Sequence, residues 1–152
     1  MLQLKIKEAL FEQCEVFVNK RLYNIENVIS SNQKALQSET KSSAGDKHET
    51  GRAMLQLEME KAGQQLLGIV QMKEILAKID ISKTSKNACL GSLILTEKAC
   101  YFLSISAGQL IIEGKVYFAI SVSSPIGKLL LGKQEKEVIS FNGKGIEINE
   151  IF

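Results

Sequence analysis

The sequence predicts an α+β protein in which an N-terminal antiparallel coiled-coil helical hairpin is followed by a small α+β domain. Apolar residues recur at three- and four-residue spacing through the first half of the 152-residue chain, which is typical of helices that pack along one stripe. The second half consists of short runs rich in β-branched and aromatic residues, divided by turn residues. A polar segment separates two helical stripes, so we expect the first half to fold back on itself.

The two apolar stripes have the spacing of a coiled-coil seam. The first stripe is formed by Phe11, Cys14, Val18, Leu22, Ile25, Ile29 and Leu36. The second stripe is formed by Leu55, Met59, Ala62, Leu66, Ile69 and Leu76, with Lys73 at the one skipped position. The side chains that we expect to be buried between the helices include Leu22, Ile29, Leu55 and Leu66. Lys20 and Glu60 fall outside both stripes and are expected to be exposed.

The segment between the stripes, SETKSSAGDKHETG (residues 38–51), is rich in Ser, Thr, Gly and Asp. A short turn between long helices makes them antiparallel neighbours. If the first helix ends at about residue 38, it is on the order of 50 Å long at a rise of 1.5 Å per residue. The hairpin is then expected to project as a rod with residues 42–50 at its tip.

The second half contains four short runs that read as strands. They are GSLILT (91–96), CYFLSIS (100–106), QLIIEG (109–114) and KVYFAISV (115–122). The segment SPIGKLLLGK (124–133) starts with Ser-Pro, has an apolar middle and ends near a glycine, which predicts one short helix.

The C-terminal segment EVISFNGKGIEINEI predicts two strands around Asn142-Gly143, a strong hairpin turn signal. ISKTSKN (81–87) is the expected connector between the two halves. The predicted domains are therefore residues 1–80, the hairpin with an acidic tip, and residues 88–152, the α+β domain.

Composition limits the classes of partner. Hydrophobic residues make up 45% of the chain and charged residues 24%, as in ordinary globular proteins. The net charge of +2 is evenly mixed, with eleven basic and eleven acidic residues in 1–80 and eight against six in 81–152. No stretch is basic enough to neutralise many phosphates, so we expect DNA binding to be weak or indirect, with any nucleic acid brought by a protein partner.

The three cysteines, Cys14, Cys89 and Cys100, are odd in number and lack CxxC spacing. This pattern favours reduced, partly buried thiols in a cytoplasmic protein over a disulfide framework. The N-terminal residues alternate charged and apolar side chains without an uninterrupted hydrophobic run, so neither a signal peptide nor a membrane span is predicted. We expect a cytoplasmic location and no membrane partner.

The tip sequence GDKHET (residues 45–50) carries the chemically interesting pair, Asp46 and Glu49. If the second helix begins near Asp46, a spacing of three puts both residues on one side of its first turn. Two carboxylates suit a divalent cation, but they are too few to hold magnesium strongly. Further ligands must then come from substrate phosphates or from another protein.

The same spacing also has a purely structural interpretation. Asp46 at the N-cap and Glu49 returning to its backbone amide form a capping-box-like signal, which is far commoner than a catalytic pair. His48 is the only histidine and is expected to be a solvated turn residue, while Lys47 is at most a weak phosphate contact. Arg52 is placed to pair with Glu49 at i,i+3.

In its order of parts the chain resembles the Gre family of bacterial transcript-cleavage factors. The shared parts are a coiled-coil hairpin, a Gly-Asp-x-x-Glu tip (residues 45–49) and a small C-terminal domain. The segment SPIGKLLLGK (124–133) resembles the family's Ser-Pro-hydrophobic-Gly-Lys-x-hydrophobic-Leu-Gly-Lys segment. The resemblance covers nearly the whole chain, and the C-terminal segment is the more specific of its two motifs.

The resemblance implies a C-terminal domain with an FKBP-like fold that docks on RNA polymerase, and a hairpin that enters the secondary channel. Asp46 and Glu49 match the acidic tip residues of the family. They would help hold a magnesium ion jointly with the polymerase, together with a water, for cleavage of backtracked RNA at its 3′ end. The neighbouring residues that would tune the tip are Lys47, His48, Thr50 and Arg52. The chain is thus expected to have no cofactor of its own and not to be an enzyme in isolation.

Two other interpretations stay open. After the tip glutamate the family usually continues Asn-Ala-Glu-Tyr, whereas this chain has Thr50-Gly51-Arg52-Ala53. This departure favours the alternative of a Gre-like secondary-channel regulator that binds polymerase without stimulating cleavage. A third interpretation is a coiled-coil interaction module whose FKBP-like domain is a chaperone or isomerase. The absence of tryptophan and the 6% aromatic content argue against an aromatic-lined proline pocket.

Overall fold

The computed structural model describes the backbone of residues 2–41 and 46–152, and the side chains of residues 2–38 and 50–152. The helices are α1 (Leu2–Lys41), α2 (Asp46–Ala77) and α3 (Pro125–Leu130). The strands are β1 (Leu93–Thr96), β2 (Cys100–Ser104), β3 (Gly108–Ile112), β4 (Lys115–Ser121), β5 (Val138–Phe141) and β6 (Lys144–Ile151). The predicted α+β fold class is confirmed, since a pair of long packed helices precedes a small domain built on a mixed sheet.

The chain forms two compact units. One is Val18–Lys73, which contains most of the hairpin. The other combines Met1–Phe17 with Glu74–Phe152 and contains the sheet. The first four turns of α1 therefore belong to the same unit as the sheet.

In the hairpin unit, the residues buried along the seam are apolar ones predicted from periodicity. They are Val18, Ile25, Ala62 and Ile69. The other predicted seam residues of this unit are only half-buried, namely Leu22, Ile29, Leu36, Leu55, Met59 and Leu66. They are less buried than predicted because two helices enclose a seam from two sides only. Lys20 and Glu60 are exposed, as predicted.

In the sheet unit, the strand order is β3-β4-β2-β1-β6-β5. Only the β2–β4 pair is parallel among the pairings described. The β5–β6 hairpin turns at Asn142 and Gly143, which have φ values of 53° and 77°. A type I′ turn requires positive φ at both central residues, so the predicted Asn-Gly turn is confirmed.

Each face of the sheet is covered by a helix. Leu103 of β2 and Ile148 of β6 belong to one buried cluster together with Leu130 of α3. Successive strand residues point to opposite faces, so Ser104 of β2 lies on the other side. There the Cys14 Sγ of α1 lies 3.7 Å from the Ser104 Oγ, and both side chains are fully buried. The beginning of α1 thus covers the second face of the sheet.

Candidate functional site

The predicted tip lies where α2 begins. The structure starts this helix at Asp46, which is the start that the carboxylate-pair interpretation assumed, so Asp46 and Glu49 both fall within its first turn. Their side chains, with those of Lys47 and His48, lie outside the described residues. The assignment of the carboxylate pair as catalytic and metal-binding therefore stays a prediction, and so does the capping-box interpretation.

The side chains just after the tip are described. Thr50, Arg52 and Ala53 are exposed on the first turns of α2. Met54 is also exposed, although it is a large apolar side chain. Most of the segment that departs from the Gre pattern is therefore at the surface of α2.

No metal site forms among the residues whose side chains the structure describes. In residues 2–38 and 50–152, no three His, Cys, Asp or Glu side chains come together closely enough to bind an ion. The side chains of Asp46 and Glu49 are not among these described residues. The predicted magnesium site would therefore depend on these two residues and on ligands from a partner.

The short helix α3 shows why the segment SPIGKLLLGK has its residue types. Ser124 is the N-cap: its Oγ accepts a hydrogen bond from the Gly127 amide at 3.1 Å and donates to the Ser121 carbonyl at 2.6 Å. Pro125 follows in the first turn, where its missing N–H costs nothing. Leu130 is fully buried. The serine and proline of the motif therefore start a helix, as predicted.

Gly127 is required by a close approach of the backbone. A Cβ atom at this position would lie 2.0 Å from the Ser121 carbonyl oxygen, which no side chain can occupy. The next glycine of the motif, Gly132, has a φ of 82°, which favours glycine at the end of a helix. Between these two glycines the exposed Lys128 points away from the core. The motif thus builds a rigid corner with an exposed cation.

The cysteines are free thiols, as the sequence analysis predicts. Burial raises the pKa of Cys14, an effect that the hydrogen bond to Ser104 partly offsets. A thiol with a raised pKa is a poor nucleophile at neutral pH. Cys100 is also buried, whereas Cys89 is exposed. Cys14 is therefore a core residue, and it packs against Ser104 of the sheet.

Lys7 is a buried cation that the sequence analysis did not single out. Its side chain is 2% exposed, and its Nζ donates to the Lys83 carbonyl oxygen at 3.2 Å. Burial lowers the pKa of Lys7, while the charges of Cys89 and Asp80 oppose this. Lys7 lies four residues before Phe11, the first residue of the predicted α1 stripe, and this spacing was the signal available in the sequence. The contact ties the connector to the start of α1.

Asn32 is a second residue that sequence reasoning missed. It lies between Ile29 and Leu36 at the spacing of the α1 stripe, and its side chain is only 9% exposed. Its Nδ2 finds no hydrogen-bond partner among the described residues. Leaving a buried donor unsatisfied costs about 1–3 kcal/mol. The hairpin therefore carries a polar group that its own packing does not satisfy.

Two glycines interrupt the helical interior of α2. Gly63 and Gly68 would each accept a Cβ atom without meeting any atom within 4 Å. Glycine in a helix interior costs about 1 kcal/mol relative to alanine. Contacts among the described residues give no reason for either glycine.

The described parts of the helices contain no segment that is both long and apolar enough to cross a membrane. No protein-family model matches this chain, and no curated protein gives a match to its sequence. The likeness to Gre factors therefore rests on the tip and α3 motifs and on the order of the parts.

Proposed function

We propose that this protein is a Gre-like transcription elongation factor. In this proposal the hairpin enters the secondary channel of RNA polymerase, and the tip stimulates cleavage of backtracked RNA. The protein acts on the 3′ end of the nascent RNA only through the polymerase, in the cytoplasm, and is not an enzyme in isolation. The observation that carries the proposal is the start of α2 at Asp46, directly after the Gly45 of the Gly-Asp-x-x-Glu tip.

The tip supports the proposal through its spacing. Residues three apart in an α-helix lie on the same side, and Asp46 and Glu49 share the first turn of α2. Acidic side chains are also favoured at a helix N-terminus, where the backbone N–H groups are unpaired. A carboxylate pair at this position can therefore be presented without burial or a supporting network.

The pair would complete a metal site that the polymerase shares. Two carboxylates supply too few ligands for strong binding of magnesium, so affinity requires ligands from the polymerase and from RNA phosphates. A magnesium ion in such a shared site supplies charge stabilisation for phosphodiester hydrolysis. Asp46 and Glu49 would hold and orient this ion, and they would accept a hydrogen bond from the attacking water.

The C-terminal domain would supply the docking surface, with an FKBP-like fold as the resemblance implies. The corner built by Ser124, Pro125 and Gly127 is held by two hydrogen bonds and a close backbone approach. Lys128 is exposed on this corner and offers a cation to an acidic surface. A rigid corner with an exposed charge suits the docking of a small domain on a large partner.

The proposal is tested with core RNA polymerase and a backtracked elongation complex. We expect the protein to bind the core enzyme and to accelerate release of a short 3′ RNA fragment. Lys128→Glu should weaken binding, while Lys144→Glu, at an exposed position on β6 outside α3, should leave binding unchanged. Absence of binding by the unmodified protein would reject the proposal.

A second candidate is a Gre-like regulator that occupies the channel without stimulating cleavage. The observation that favours it is the segment Thr50-Gly51-Arg52-Ala53, in which the exposed Arg52 places a cation where the family has an acidic residue. The same assay separates the two candidates, since the regulator binds polymerase and yet releases no RNA fragment. Loss of elongation rate on binding would then be its readout.

A further inference from the structure

A polar cleft lies in the unit that contains the sheet. Two chain segments form it, residues 84–86 of the connector and residues 134–135 after α3, together with Ile151 of β6. Its volume is about 580 Å³, which is within the range of clefts that hold small molecules, roughly 300–1,000 Å³. We call this surface the connector cleft. Its lining residues lie outside the tip and outside α3, so the proposed function does not use them.

Hydrogen bonds join the two segments at one end of the connector cleft. The Ala88 amide donates to the Lys133 carbonyl oxygen at 2.7 Å, and the Ala88 carbonyl oxygen accepts from the Gly132 amide at 2.7 Å. Next to this pair, the Gln134 Nε2 donates to the Asn87 Oδ1 at 2.7 Å. The cleft begins where this pairing ends, so the fold of the unit sets its position.

The connector cleft is lined by one cation and one anion that do not neutralise each other. Lys86 and Glu135 both line it, but they form no salt bridge, so their charged atoms lie more than 4.0 Å apart. The Lys86 ammonium also has no partner elsewhere among the described residues. Two unlike charges that line one cleft without meeting leave room for a ligand that carries both signs of charge.

Glu135 is held in place by the backbone of β6. Its Oε1 accepts a hydrogen bond from the Ile151 amide at 3.1 Å, and Ile151 is itself only 8% exposed. The Glu135 Oε2 has no partner among the residues that the structure describes. A carboxylate that is fixed through one oxygen offers the other to a ligand, and an ammonium group is a strong donor to it.

The Lys86 side of the connector cleft supplies donors. Thr84 and Ser85 precede Lys86 in the connector and line the same cleft. The Ser85 Oγ accepts from the Asn87 amide at 3.2 Å, so its own O–H remains available as a donor. An ammonium group and two hydroxyl groups together suit a ligand carboxylate.

We infer that the connector cleft binds a small zwitterion, a free α-amino acid. Its carboxylate accepts hydrogen bonds at Lys86 and the neighbouring hydroxyls, and its ammonium group donates to the Glu135 Oε2. Ile151 offers little apolar surface, so the cleft favours amino acids with small or polar side chains. Both charged side chains are exposed and contribute little free energy each, so we expect a dissociation constant on the order of 1 mM.

The inference is tested by titrating the full chain with L-serine and following backbone amides by NMR. The amides of Gln134 and Ile151 should shift and saturate, because both residues line the cleft. N-acetylserine lacks the ammonium group and serine methyl ester lacks the carboxylate. Each should bind at least about fivefold more weakly than serine, because each loses one charged contact.

Two variants remove one charge each with little change of shape. Lys86→Gln and Glu135→Gln should each raise the dissociation constant for serine at least about fivefold. The amide oxygen introduced by Glu135→Gln can still accept from the Ile151 amide, so the fold is kept. Lys83→Gln and Glu147→Gln are the matched controls, since both side chains are exposed and neither lines the cleft.

Three results would overturn the inference. One is the absence of a saturable shift at serine concentrations far above the expected dissociation constant. Another is equal binding of serine and N-acetylserine, which would make the cleft a site for anions. The third is equal weakening by the cleft variants and their controls. The titration uses no polymerase, so each of these results leaves the proposed function untouched.

Discussion

The hairpin unit and the sheet unit bury apolar side chains to different depths. Phe102, Leu103 and Ile148 of the sheet are completely buried, because a helix covers each face. In the hairpin, Leu22 and Leu66 stay half-buried since no third element covers the seam. Polar atoms differ in the same way. Ser104, in the sheet, contacts Cys14, whereas Asn32, in the hairpin seam, has no partner for its Nδ2 among the described residues.

The sheet unit is therefore the main source of stability, and the hairpin unit carries the features on which the proposed function depends. The sheet residues are explained by the packing of their own domain. In the hairpin, the open space at Gly68 and the Asn32 amide are not explained by contacts among the described residues. Features that packing does not require are where a protein is expected to meet its partners.

The largest expected effect comes from the sheet core. Phe102→Ala should lower the free energy of unfolding by about 3–5 kcal/mol, because the ring is fully enclosed and leaves a cavity. Denaturant unfolding measures this loss. Val138→Ala removes an exposed side chain of β5 and should change stability by no more than about 0.5 kcal/mol. Equal losses for both variants would break the comparison.

The hairpin seam should show a smaller effect. Leu66→Ala should cost about 2 kcal/mol, at the low end for leucine truncation, because this side chain is already partly exposed. Far-ultraviolet circular dichroism during denaturation follows the helices. Glu60→Ala on the same helix is the control and should be nearly neutral. A neutral Leu66→Ala would show that the seam register of α2 is wrong.

The smallest expected effect is a change in the pKa of Asp80, next to the connector, which depends on hydrogen bonds from Ser82 and not on burial. The Ser82 hydroxyl and amide donate to Asp80 Oδ1 at 2.5 and 3.1 Å and lower the pKa of this carboxyl. Because its pKa is lower in the folded state, the Asp80 carboxylate stabilises the fold at pH values above the ordinary aspartate pKa. This contribution is lost as the pH falls through the pKa of the folded state. Ser82→Ala should raise the Asp80 pKa, measured by NMR titration. An unchanged pKa would contradict the hydrogen-bond assignment.

Much of the fold could be predicted from periodicity and turn residues. The spacing of Ile25 and Ile69 indicated the seam, and Asn142-Gly143 indicated the last turn, because each signal acts locally. The parallel pairing of β2 with β4 could not be predicted, since strand order depends on distant contacts. For the same reason the stripe showed that Cys14 is buried but did not show that its neighbour is Ser104.

The candidate site was less accessible to prediction from sequence. The start of α2 near Asp46 was an assumption of the sequence analysis, and the helix does begin at this residue. The same spacing of Asp46 and Glu49 suits both a helix cap and a metal site, so pattern alone does not separate the two roles. Asn32 could not be predicted as a seam residue because the stripe is defined by apolar side chains and Asn32 is polar.

The proposed tip chemistry is tested most directly by measuring RNA cleavage in a backtracked complex with Asp46→Asn and Glu49→Gln. The amides keep the size of the acids and part of their capping ability, so the comparison isolates charge and metal ligation. Glu60→Gln, an exposed position farther along α2, is the matched control. Affinity for core polymerase is measured in parallel for every variant.

The account predicts that both tip variants bind polymerase as tightly as the unmodified protein and lose most of the cleavage stimulation. Added magnesium should restore part of it, because a weakened site fills at higher ion concentration. An interaction made mainly in the transition state lowers rate and not affinity. Tip variants that cleave as fast as the unmodified protein and Glu60→Gln would contradict the central claim.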